Sequence, residues 1–246
     1  MDNPLETPHE EPATATSPGD DDGLLQLLEG YRFRVCEDAE TAARALGVRR
    51  RVYVDGAGYA IPVPDGYDVR SWFLLAEDAH TGEAAGSMRL TPRLAGRLEL
   101  EKYFTLPATL RSPKSVELNR FAILPGHRKG KTFLPVVSLG LFKLVHSFLA
   151  SLESAYMIIA SKPERVWTYE WMSFERTGQL APYGQLGGVE HELLWYDFQR
   201  APAILEGHPF RAFFVDLDYR EVLLPERFPP LGLGVDLAAA GLREVA

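Results

Sequence analysis

The sequence predicts an α/β protein (α+β in the broader sense), with one mixed sheet covered by helices in a single domain. Three observations carry this. Strand-like and helix-like segments alternate along most of the chain after residue 30. "AYMIIAS" (Ala155–Ser161) is a continuous apolar run of strand length, the pattern of a strand covered on both faces. "SVELNRFAILPGHRKGKTFLPVV" (Ser115–Val137) reads as a buried strand that passes through a basic, Gly-containing loop into an apolar helix.

The elements follow in order. "YRFRVCE" (Tyr31–Glu37) has the composition of a first strand, and Asp38–Val54 that of a helix with Asp38 as N-cap. Gly56–Asp68 is punctuated by Gly and Pro and reads as loop. "SWFLLAED" and "EAAGSMRLTP" form a hairpin turned at His80-Thr81-Gly82. Val116–Leu124 is the next strand. The helix after it shows Phe133, Val137, Leu141, Leu144 and Phe148 near a 3.6-residue period. After Ala155–Ser161, Pro163 opens a helix running to Gly178. "GVEHELLWYDF" and "RAFFVDLDY" are two further strands.

Charge divides the chain unevenly. Residues 1–23 hold seven of the 34 acidic residues and no Lys or Arg, leaving 27 acidic against 26 basic residues in the rest. This Pro-rich segment has the composition of a disordered acidic tail, and residues 24–246 that of the folded domain. A near-neutral body argues against nucleic acid as a partner. The single cysteine, Cys36, fits a reducing, cytoplasmic setting, and the N-terminus lacks the basic start and apolar run of a secretory signal. Thr132–Leu152 is interrupted by Lys143 and His146, so it reads as a buried helix, not a membrane span. His127, His146 and His191 lack metal-ligand spacing, so no metal is expected.

Several short stretches carry a resemblance in the right order: "RRRVYV" with Arg49 four residues before Tyr53, "GYD" with Asp68, "GSMRL" with Arg89, "VELNRFAI" with Glu117 and Arg120, and "RTGQLAPYGQLGGVEHELLWY". Together they resemble the GNAT N-acyltransferase superfamily, and within it the N-acyl amino acid synthases and the acyl-homoserine-lactone (autoinducer) synthases. The resemblance implies a mixed, mostly antiparallel sheet flanked by helices and transfer of a fatty acyl group from a thioester to an amine. Backbone donors from Phe121, Ala122, Ile123 and Leu124 would hold the pantetheine arm and polarise the thioester. Arg128, Lys129, Gly130, Lys131 and Thr132 would hold its phosphate. Two departures bear on the substrates. The loop His127–Thr132 has the first Gly of the superfamily's phosphate loop but not its last small residue, which suits one pantetheine phosphate. The donor would then be an acyl carrier protein, with acyl-CoA as the other source, as co-substrate and not bound cofactor. No Trp lies between Tyr53 and Trp72, where autoinducer synthases carry one beside their S-adenosylmethionine site. This favours the α-amine of an amino acid as acceptor over S-adenosylmethionine; a non-catalytic acyl-binding module is the third reading. A lipid product would bring the protein against a membrane as a peripheral contact.

The site residues carry alternatives. Glu117 is either the base that receives the amine's proton or one half of a salt bridge to Arg120 or Arg89. Residues three apart on a regular strand face opposite ways, so Glu117 and Arg120 share a face only across a bulge. Arg89 either clamps a substrate carboxylate or pairs with Asp68. Arg49, Tyr53, Asp68, Asn119 and Tyr183 are assigned to the substrate pocket. Tyr53, Tyr183, Trp195 and Tyr196 line either a pocket or the core.

Overall fold

The computed structural model describes residues 23, 26–128, 134–208 and 211–236. All but Gly23 of the predicted tail, and Lys129, Gly130, Lys131 and Thr132 of the predicted phosphate loop, lie outside them.

One eight-stranded sheet runs through the molecule, in the order β6-β7-β5-β4-β3-β2-β1-β8. Its strands are β1 Tyr31–Val35, β2 Trp72–Asp78, β3 Ala84–Pro92, β4 Ser115–Ile123, β5 Tyr156–Ser161, β6 Glu175–Tyr183, β7 Val189–Asp197 and β8 Val222–Leu223. Among the described residues only β4–β5 and β1–β8 are parallel pairs; the rest are antiparallel. The helices are α1 Ala39–Arg49, α2 Val136–Ser151, α3 Val166–Trp171 and α4 Ala201–Ile204. Asp38 caps α1, its Oδ1 accepting from the Thr41 N–H at 2.7 Å. The β2–β3 turn closes where expected: Asp78 Oδ1 accepts from the N–H groups of His80 and Thr81, and Gly82 supplies the positive φ of 73°.

Alternation along the strands sorts side chains between two faces. Leu74, Ala76, Met88, Leu90, Val116 and Leu118 pack with α2 in the main core. Phe73 and Leu75 pack with Ala42 and Ala45 of α1 on the other face. Farther along that face, Leu98, Leu100, Phe104 and Leu106 from the segment between β3 and β4 pack against Ile158 and Leu193. That segment is built from short 3-10 turns. Gly140 lets α2 lie on β1, because a Cβ there would run into the Phe33 ring. Gly140→Ala is therefore expected to destabilise the fold by about 1–3 kcal/mol through overpacking, read as a lower urea midpoint.

Three expectations need correction. The first helix gives way after Arg49 to a π-helical turn, Arg50–Gly56. The helix opened at Pro163 stops at Trp171; Ser173 takes a positive φ of 67°, and the chain turns back as β6. β6 is an edge strand, which is why it tolerates Pro182 and shows mostly alternating, half-exposed side chains. The expected strand "RAFFVDLDY" instead contains a π-helical turn, Ala212–Asp216, with Phe213 and Phe214 buried in the main core. A short apolar run satisfies burial in either conformation.

Candidate active site

The site begins with a single extra residue in β4. Pairing with β3 runs Arg89↔Asn119 and then Ser87↔Ala122, a register shift that marks a bulge at Arg120–Phe121. Arg120 takes a positive φ of 54° there. Val116 and Leu118 face α2, so Glu117 and Asn119 face the other side; the bulge returns Arg120 to the face of Glu117 and sends Phe121 and Ile123 toward α2.

On that face seven charged side chains are buried together. Arg49 ends α1, Asp65 and Asp68 come from the loop before β2, Arg89 from β3, Glu99 from a 3-10 turn, and Glu117 and Arg120 from β4. Arg49 grips Asp68 with two parallel bonds, Nη1–Oδ1 at 2.8 Å and Nη2–Oδ2 at 2.5 Å. Arg89 Nη1 lies 2.5 Å from Asp65 and 2.9 Å from Asp68, while its Nη2 reaches Glu99 at 2.5 Å. Its Nε donates to Asn119 Oδ1 at 2.8 Å. Arg120 Nη2 reaches Glu99 at 2.5 Å, Asp65 at 3.2 Å and Gln185 Oε1 at 2.9 Å.

Counting charges isolates one residue. The three guanidiniums balance Asp65, Asp68 and Glu99, and Glu117 is the carboxylate left over. It is 1 % exposed and ion-paired to neither arginine. Instead Oε2 accepts from the Glu99 backbone N–H at 2.7 Å and Oε1 from Asn119 Nδ2 at 2.9 Å. Burial, and then the nearby Glu99 charge, push Glu117 up to about 7, against the opposing pull of Arg89. Burial also works against the ionised form of Asp65, but Arg89, Arg49 and Arg120 outweigh it and hold that carboxyl well below the usual range.

These contacts decide between the alternatives left by the sequence. The salt bridge of Glu117 to Arg120 or Arg89 is not formed; the bulge puts Glu117 and Arg120 on one face, but Glu99 and Asp65 take the guanidinium. Arg89, also 1 % exposed, bonds to Asp65, Asp68, Glu99 and Asn119, so the expected Arg89–Asp68 pair is formed. Tyr183 lies beside this group, its ring 4.2 Å from that of Tyr103 and its hydroxyl raised by burial and by Glu117. Asp65, Glu99 and Gln185 escaped the sequence reading. The available signal for Glu99 was its place between two apolar residues, Leu98 and Leu100.

A second feature lies along the other edge of β4. Its parallel pairing with β5 covers Ser115–Glu117 against Tyr156–Ile158 and stops there, so Glu117 stands where the two strands part. Leu124 N–H donates to Ala85 O at 2.9 Å, toward β3. Backbone groups alternate between the edges, so Ala122 also faces β3, while Phe121 and Ile123 face the opening. Their carbonyls agree with this: Phe121 O accepts from the Tyr53 hydroxyl at 2.9 Å and Ile123 O from Arg128 Nε at 2.8 Å. Of the four expected thioester donors, Leu124 is thus already used and Ala122 is turned away. Tyr53 reaches β4 from the π-helical turn, a backbone irregularity placed directly after Arg49.

Among the described residues no group of His, Cys, Asp and Glu has the arrangement of a metal site, and no helix is long and apolar enough to cross a membrane. Residues 48–138 match the model of the acetyltransferase (GNAT) domain family. No curated protein matches the sequence. FeeM, an N-acyl amino acid synthase from uncultured soil microbes, is 17 % identical over 70 % of this chain and 93 % of its own, with a TM-score of 0.58. BjaI, a CoA-dependent acyl-homoserine lactone synthase, is 15 % identical over 86 % and 99 %, with a TM-score of 0.57. TofI, solved with an inhibitor and MTA, is 22 % identical over 71 % and 96 %, with a TM-score of 0.52. At these identities the likeness is one of fold. The matched segment spans the end of α1, the hairpin, β4 and the start of α2, so the family match and the shared fold both centre on the strands that build this site.

Proposed function

We propose that the protein transfers a fatty acyl group from a phosphopantetheine thioester, carried by acyl carrier protein or coenzyme A, to the α-amine of an amino acid. The observation that carries this reading is Glu117, the unbalanced buried carboxylate at the point where β4 and β5 separate. An incoming ammonium supplies the positive charge that the buried group lacks. Glu117 takes a proton from it, directly or through a water. The neutral amine then attacks the thioester carbonyl, the C–N bond forms and the C–S bond breaks; the second proton that the nitrogen loses passes to the departing thiolate, and the first leaves Glu117 for solvent. The Phe121 and Ile123 N–H groups, on the open edge of β4, are the donors suited to the developing oxyanion. Exposed Arg128 supports a phosphate-bearing donor, although its Nε is held by Ile123 O. Arg49, Arg89, Asp68 and Asn119 position Glu117 and Arg120, and Tyr183 and Gln185 flank the acceptor.

The test is free-thiol release from a long-chain acyl carrier protein on adding the protein and a pool of amino acids, with the organic extract analysed by mass. An N-acyl amino acid is the expected product and names the acceptor. Product only after S-adenosylmethionine is added would replace this reading with lactone synthesis. Donor binding without thiol release would replace it with a non-catalytic acyl-binding module.

A further inference from the structure

The open edge of β4 is one-sided in its chemistry. A strand edge without a neighbour ordinarily presents both N–H donors and C=O acceptors, and with both free it pairs with another extended chain. β4 loses its neighbour beyond Glu117, where the pairing with β5 ends. Past the bulge, Phe121 and Ile123 turn their N–H and C=O groups toward that gap. Each of these carbonyls already has a side-chain donor. The Tyr53 hydroxyl donates to Phe121 O at 2.9 Å, and Arg128 Nε to Ile123 O at 2.8 Å. The donors arrive from separate parts of the chain, Tyr53 from the π-helical turn Arg50–Gly56 and Arg128 from the turn that follows β4. Tyr53 is held at both ends: its ring lies 6.0 Å from that of Tyr59, and its own carbonyl accepts from the Tyr59 N–H at 2.9 Å. Burial raises the phenol above its ordinary value, against the pull of Arg120 and Arg49, so the hydroxyl keeps the proton it donates.

A carbonyl oxygen keeps a second lone pair, but a proton placed on it offsets the negative end of its dipole. Tyr53 does this with a neutral hydroxyl and Arg128 with a full positive charge. The groups that the gap then meets are the Phe121 and Ile123 N–H donors. An edge of this kind favours a carbonyl oxygen over a methylene or another donor, and favours it more as the oxygen gains charge. We propose that Tyr53 and Arg128 are specificity-determining residues: by covering the acceptors of β4, they make its edge select the carbonyl oxygen of the thioester. This rests on the acyl-thioester reading above, and it assigns the selectivity of that edge to two side chains from outside the strand.

The test is a binding measurement that needs no amine acceptor. One probe is a ketone analogue of octanoyl-coenzyme A in which methylene replaces the sulfur. The other is the same molecule with that carbonyl reduced to methylene. Calorimetry should show the ketone bound about tenfold more tightly by the wild-type protein, the worth of one neutral hydrogen bond. Tyr53→Phe keeps the ring and removes only the hydroxyl, and it should bring the ratio to within about threefold. Arg128→Met should lower the ratio as well. Both probes carry the same phosphates, so any phosphate contact of Arg128 cancels. Equal binding of the two probes by the wild-type protein overturns the proposal and leaves the donor reading standing. So does a preference that survives both substitutions, since the edge then selects the carbonyl unaided. Failure of both probes to bind overturns the donor reading and the proposal together.

Discussion

Glu117→Gln is expected to lower kcat/KM by a factor of about 10² to 10⁴, the range for loss of a positioned general base. The wild-type rate should rise with pH and level off above about 7, as Glu117 reaches its carboxylate form; the variant should lose that limb. Its stability should move the other way. Glu117 has a folded-state pKa of about 7, above the ordinary glutamate value of 4.5, so the folded protein binds more protons between these values. Wild-type stability therefore falls as pH rises through that window, by an amount on the order of 3 kcal/mol, and is flat above it. The substituted amide carries no charge to bury, so the variant should unfold at equal or higher urea than wild type at pH 8 and lose that advantage at pH 5. A variant that is slow yet stable separates catalysis from scaffolding. One that keeps wild-type turnover at pH 8 would refute the role assigned to Glu117.

Arg89→Met should have the largest effect on the fold itself. It leaves Asp65, Asp68, Glu99 and Glu117 facing only Arg49 and Arg120, all of them buried. Removing one partner of a buried ion pair costs about 3–5 kcal/mol, because the stranded charge remains. Arg89→Lys should recover little of it, since one ammonium cannot replace a planar group that serves Asp65, Asp68, Glu99 and Asn119 at once. The deficit should shrink as pH falls from 7 to 5, when the unbalanced carboxylates of the variant take up protons. Urea unfolding at the two pH values reads both effects. A deficit that is the same at both would mean that Arg89 matters through packing alone.

Local chemistry explains which parts of this fold were legible in the sequence. Asp38 announced its helix because a cap is a short-range signal, and His80-Thr81-Gly82 announced its turn for the same reason. The spacing of Glu117 and Arg120 made a bulge the condition for their sharing a face, and the register of β3 against β4 contains one. β6 was hidden because an edge strand need not be apolar or free of Gly and Pro. Two partners of the arginines were hidden for a different reason. Asp65 and Glu99 lie in irregular segments with no periodicity, and they meet Arg120 from 55 and 21 residues away. The arginines and Asp68 were visible in the sequence, whereas the two carboxylates that complete the network depend on tertiary closure.

The extra residue in β4 has a consequence for how such a protein changes over generations. Before it, Glu117 and Asn119 look toward the buried charges; after it, Phe121 and Ile123 look toward α2. The sheet thus works as a party wall, with the buried charges on one side, the apolar packing of Phe121 on Phe142 on the other, and the gap beside β4 as the opening between them. A single-residue deletion at the bulge would exchange the two sides, so the strand's length is under tighter constraint than any one of its side chains.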